Sequence, residues 1–432
     1  MTARDHNGNA LSGASQAAAD RFQAALSAHH CLAGDPMGDL KAALADSPGF
    51  TMAHAMMAYL CLMGSDAPTR ARGEKSLAKA KALPADAREQ GHLAALDRIA
   101  AGEYRAAGRA LEDVTLDHPR DVLALQVGQS MDFMIGDARM LRDRIGRALP
   151  AWSEGMADLH AILGMHAFGL EETALYAEAE AAGRRAIELE PRNGWAQHAV
   201  AHVLEMQDRR RDGIAWMRAN PDAWSQGSYF AIHNWWHTAL FHLGLGEIDE
   251  VLALYDGPIY GEPSTMAFDM DDAAALLWRL KLMDVDLGGR WDTLADVYES
   301  QPHGRFAFDD AHAMMAFMGA GREATARALL SDMAAAAEAE GENARIMREV
   351  GLPVARAIHA YGLGDHARAV ELLRDVRNGA ARFGGSHAQR DVLDLTLIAA
   401  ARRAGETSLE RALLAERAAA IPRAEPSPSL AA

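Results

Sequence analysis

An all-α chain of stacked helical hairpins is the fold this sequence predicts. Ala, Leu, Met, Glu and Arg dominate segment after segment, runs of Val, Ile and Thr are scarce, and Gly-marked turns recur between helix-length apolar stretches. Half of the 432 residues are apolar, 24% are charged and only 15 are Pro, which allows a large core and excludes collagenous or disordered classes. Sixty Asp plus Glu against 43 Lys plus Arg leave a formal charge of −17. Such a surface repels phosphate backbones and anionic lipid, so neither nucleic acid nor membrane is expected as a partner. Asp, Glu, Arg or His interrupts every apolar run before the ~18 residues a membrane span requires. Cys31 and Cys61 are too few for a disulfide framework, and the start MTARDHNGNALSGAS lacks the basic-then-apolar pattern of a secretory signal. A soluble, cytoplasmic, reduced protein is expected.

The helices repeat. Between Arg88 and Pro119, the residues Ala95, Gly102, Tyr104, Ala107, Leu111 and Pro119 match the offsets of the tetratricopeptide pattern, whose period is roughly 34 residues. His160 to Pro191 repeats it with Leu163, Ala167, Ala179 and Ala186, and the next segment continues in phase through Ala201 and Gly213. From Ile232 to Asp256, Ala239 takes the small position between paired helices, Gly246 the turn, and Val251 and Tyr255 the second helix. Further helix, Gly-turn, helix units run from Phe308 to Met333 and Pro353 to Arg377, with a last pair from Ser386 to Arg417. A hairpin of this kind buries its apolar face only by stacking on neighbours, which predicts a degenerate tetratricopeptide-like superhelix of about seven or eight hairpins. It would form a single domain over residues 16–422, with residues 1–15 and 423–432 disordered by composition.

Histidines carry the candidate chemistry. In Trp195-Ala-Gln-His198-Ala-Val-Ala-His202-Val-Leu-Glu205, steps of four and three residues place His198, His202 and Glu205 on one helical stripe. Two imidazoles at i and i+4 followed by a carboxylate suit a zinc-like divalent metal, although no Glu stands between them as in a metalloprotease motif. His233 and His237 share a face in His233-Asn-Trp-Trp-His237, where Trp236 offers an aromatic wall for a small molecule, as Trp195 does in the preceding unit. The pentapeptide HAMMA occurs at His54 and again at His312, which reads as duplicated helix packing or as a His aimed into a shared groove. Asp269, Asp271 and Asp272, like Asp309 and Asp310, fall at helix starts, where carboxylates cap backbone N–H groups. His387, Arg390, Asp391 and Asp394 line one face after a Gly-Gly turn, as an ion-pair seam or the far wall of a ligand site. No phosphate-binding Gly-rich loop and no GxSxG elbow occurs, so nucleotide hydrolysis and acyl-enzyme chemistry lack support.

The stretches HAVAHVLEMQDRRRDGIAWM, IHNWWHTALFHL, DDAAALLWRL, HAMMAFMGAGR and GGSHAQRDVLDLTLIAAARRAG together resemble the tetratricopeptide repeat protein 38 family. The resemblance implies an all-helical degenerate repeat array and brings no reaction and no catalytic residues with it. Two functions follow from the residues themselves. One is a small-molecule pocket, metal-assisted and hydrolytic, in which His202, His237 and Asp391 act as catalysts, His198, His202 and Glu205 hold a divalent ion, and Trp195, His233, Trp236, His312, His387 and Arg390 bind ligand. Arg390 would pair with a substrate carboxylate. The alternative is a non-catalytic scaffold that binds a peptide or protein partner in its groove. A homodimer is compatible with either.

Overall fold

The computed structural model describes residues 3–64 and 67–421. They are almost entirely helical, as the composition predicts, and antiparallel helical hairpins are the recurring element. The expected tail over 423–432 lies outside the described residues.

The described residues divide into two compact units, the first falling within 1–200 and 220–231 and the second within 201–219 and 232–432. The division falls within the Gly194–Met206 helix. In the first unit, Gln16–Cys31 packs on Pro36–Asp46, Thr51–Leu62 on Ala67–Lys81, Ala87–Ala100 on Tyr104–Asp117, Val122–Met134 on Ala138–Ala148, and Leu159–Glu171 on Tyr176–Leu189. In the second, Ala267–Leu282 pairs with Arg290–Glu299, Ala307–Gly319 with Glu323–Ala337, Leu352–Gly362 with His366–Val376, and His387–Arg403 with Thr407–Ala420.

Local chemistry sets the helix starts. Asp86 and Glu89 exchange hydrogen bonds with each other's backbone N–H in a capping box, and Ser386 and Gln389 do the same at the last hairpin. Residues 3–15, expected to be disordered, instead form a short hairpin in which Ala3–Arg4 pairs antiparallel with Ala10–Leu11. Its polar composition is turn chemistry: the Asp5 carboxylate accepts from the backbone N–H groups of Asn7 and Asn9 at 3.0 and 2.8 Å. Leu11 is then buried, and the Ser12 N–H donates to Glu89 at 2.9 Å.

Small residues let the helices of the second unit approach closely. A side chain at Gly213 would bring its Cβ within 2.4 Å of the Phe241 ring, so the Arg210–Arg218 helix lies directly on the Ala231–Leu245 helix. Ala273, Ala274 and Ala275 are buried beside the fully enclosed Trp278, in one core that runs from Trp236 to Leu413.

In the first unit, Arg144 and Asp132 are both buried and joined by two hydrogen bonds of 2.7 and 3.0 Å, with Arg144 also donating to the Gly108 carbonyl. Removing one member of such a pair leaves an uncompensated buried charge. Asp132→Ala is expected to cost about 3–5 kcal/mol, read as a lowered urea midpoint, whereas an unchanged midpoint would contradict the pairing.

Candidate metal centre and adjoining cavity

Three imidazoles converge inside the second unit. The Gly194–Met206 helix delivers His202, and the Ala231–Leu245 helix delivers His233 and His237 from successive turns. A ring nitrogen of each lies within 4.8 Å of one on each of the others. The ring centroids of His202 and His237 are 4.5 Å apart, and those of His233 and His237 are 4.9 Å apart. All three side chains are enclosed, His202 and His237 to 0% exposure.

Asp272, from the Ala267–Leu282 helix, orients the set. His233 Nδ1–H donates to its carboxylate at 2.8 Å, which places the ring's lone pair on Nε2. Burial pushes the Asp272 carboxyl up and His233 pulls it back. Burial also holds His237 well below the usual imidazole range, and His202, His233 and Arg279 add to the effect in that order. A neutral imidazole is the form that binds a metal.

Trp236 is fully buried and lies nearly parallel to the His233 ring, 14° between planes and 5.3 Å between centroids. The Arg279 guanidinium sits over the same indole at 5.4 Å. Trp195 is half-buried in the first unit, with Phe168 at 4.8 Å and Phe230 at 5.5 Å. His198, one helical turn before His202, packs in that aromatic group, 5.0 Å from Trp195 and 5.5 Å from Phe168.

The remaining candidates lie apart from the three imidazoles. Glu205, expected to complete the metal set, instead lines a cavity of about 110 Å³ together with Asp208, Arg210, Arg279, Asp391 and Arg417. Asp391 is paired there with both terminal nitrogens of Arg417, the longer contact being 2.8 Å. His312 Nδ1–H donates to the Phe308 carbonyl at 2.8 Å, and burial lowers its pKa to about 4. In the first unit, its sequence counterpart His54 bonds the Pro48 carbonyl at 3.1 Å. Both copies of HAMMA therefore use His to satisfy backbone. Arg390 donates to the Gly385 carbonyl, and His387 is half-buried at the start of the same helix.

The acidic helix starts are not caps. The Ala267–Leu282 and Ala307–Gly319 helices begin after Met266 and Phe306 with no side-chain cap, so Asp269, Asp309 and Asp310 fall inside the first turns, Asp271 and Asp272 fall in the second, and these acids bond to neighbours. Ser264 donates to Asp269, Tyr298 donates to Asp271 at 2.9 Å, and Asp310 accepts from the Gly304 N–H. Asp271 and Asp309 hydrogen-bond each other, a carboxyl pair that two negative charges cannot occupy comfortably.

No known protein-family model matches the chain.

Burial, and then the Asp310 charge, raise Asp309 to about 7. An unfolded aspartate titrates near 4, so between about pH 4 and 7 the folded state holds the extra proton. The contribution of the Asp309 carboxyl to stability is present in full below that window and lost as pH rises through it. Asp309→Asn is therefore expected to flatten the pH dependence of Tm between about pH 5 and 8 and to stabilise at pH 8 by on the order of 1 kcal/mol. Parallel Tm profiles for the variant and the parent would rule out the raised pKa of Asp309.

Proposed function

We propose that this helical-repeat protein binds one zinc-class divalent ion through His202, His233 and His237 and uses it in hydrolysis of a small molecule. The observation that carries the reading is the convergence of three buried imidazoles from two helices, with His233 already turned by Asp272. Imidazole is the commonest protein ligand for such ions, and a carboxylate behind a ligating His is the usual orienting partner. Three nitrogen ligands leave a coordination position for water, and a zinc-bound water ionises near pH 7. His198, one turn from His202 on the same helix, extends the i and i+4 pairing that first marked this segment. The resemblance to the tetratricopeptide repeat protein 38 family, carried by the stretches quoted above, fits the repeat architecture and is silent on the chemistry.

The reading of these residues as a peptide groove is less well supported. A groove must present its recognition side chains, yet His202, Asn234, Trp236 and His237 are all 0% exposed.

Plasma mass spectrometry of untagged protein, purified without chelator, is expected to find close to one equivalent of zinc, iron or manganese per chain. His202→Ala and His233→Ala should lose the ion and the part of the thermal stability it supplies. Asp272→Asn should keep the ligands and weaken metal affinity by about 10- to 100-fold. Metal-free parent protein, or equal metal in the His202→Ala variant, would sink the proposal.

A further inference from the structure

The cavity in the second unit is a site of its own. Four guanidinium groups line it, and three of them are matched to carboxylates: Arg210 to Asp208, Arg402 to Glu410, and Arg417 to Asp391. Arg279 is not. It is only 3% exposed, and its partners among the described residues are the peptide carbonyls of Ala275 at 3.1 Å, Ala388 at 2.6 Å and Gln389 at 3.5 Å, with the Trp236 indole alongside. None of these is a negative charge, and the carboxylates that act on Arg279, Asp391 first and then Glu205, do so through space without a hydrogen bond to it. A cation this deeply enclosed favours an anion beside it.

Glu205 Oε2 is buried with no hydrogen-bond partner among the described residues, and burial pushes this carboxyl toward its protonated form. A shift in that direction lessens the repulsion between this carboxyl and an anion seated nearby. The rest of the lining is apolar, from Leu240, Leu243, Leu282, Leu395 and Ile398. The volume of about 110 Å³ suits a ligand of several non-hydrogen atoms.

We infer that this cavity binds a small monocarboxylate with a short apolar tail, its carboxylate held by Arg279 and its tail lying against the leucines. The site does not use the three histidines and stands whether or not they hold a metal. It differs from the sequence expectation, which gave the substrate carboxylate to Arg390.

Butyrate is the probe, titrated into the full chain by calorimetry or by ligand-observed NMR, with 1-butanol as the same tail without charge and inorganic phosphate as an anion without a tail. Saturable butyrate binding is expected, with 1-butanol and phosphate at least tenfold weaker. Arg279→Met should weaken butyrate at least tenfold. Because that variant also loses three backbone hydrogen bonds, Ala399→Phe provides a second test: Ala399 is half-buried in the wall, and the larger side chain fills the cavity while leaving Arg279 in place. With both proteins stripped of metal, His202→Ala should bind butyrate as the parent does, which separates this site from the metal reading. The inference fails if butyrate does not saturate, if phosphate binds in its place, if Ala399→Phe binds like the parent, or if His202→Ala abolishes binding.

Discussion

The hydrogen bond from His233 to Asp272 is the contact around which the interior of the second unit is arranged. Asp272 is 1% exposed, and on its own helix it is followed by Ala273 to Trp278, every one of which is buried. A lone carboxylate there would cost several kcal/mol in lost hydration. The imidazole N–H offsets part of that cost and fixes the ring. Once fixed, His233 presents one face to Trp236 and its edge to His237, so a single ion-dipole contact settles the orientation of three aromatic side chains.

Packing makes this arrangement possible, and it depends on small residues more than on large ones. Gly213 brings one helix onto Phe241, and Ala239 and the run Ala273 to Ala275 are small buried residues on the two helices that carry His233 and Asp272. A β-branched residue at any of these positions would widen the spacing between helices, and a hydrogen bond of 2.8 Å tolerates little widening. The large side chains then fill what is left, with Trp236 and Trp278 both fully enclosed. Repeat helices rich in Ala serve here to hold polar groups in contact within an otherwise apolar interior.

The helices and the paired histidines were legible in the sequence because both are local patterns. Ala- and Leu-rich runs closed by Gly mark the hairpins, and spacings of four residues put His198 with His202 and His233 with His237 whatever the tertiary fold. Their partners could not be read in the same way. Asp272 lies 39 residues from His233, and the carbonyl of Ala388 lies 109 residues from Arg279. Asp269, Asp271 and Asp272 resembled caps because acids near a helix start usually are, and only the true start at Ala267 turns them inward. Glu205 follows His202 by three positions, which places it about 60° around the helix, far enough to face the cavity. Arg279 itself is a local signal, because it interrupts the apolar run Ala273 to Leu280, where a lone charge on a buried helix asks for a partner. The N-terminal hairpin escaped notice for the opposite reason, since Asp5, Asn7 and Asn9 are as common in loose tails as in tight turns.

The three imidazoles and the arginine cavity share helices and also share a field. From Asp272 through His233 and Trp236 to Arg279, each group touches the next, and the Arg279 charge is felt at His237. A guanidinium in that position opposes a second cation among the histidines. An anion seated against Arg279 cancels much of that opposition, and a cation held by the imidazoles in turn draws an anion toward the cavity. Coupling of this kind is reciprocal by thermodynamic necessity. It is also strongest where water is excluded, as it is around His202, Trp236 and His237. The burial of these groups is thus the same feature that would let two small ligands of opposite charge, if bound as proposed, favour each other across one indole ring.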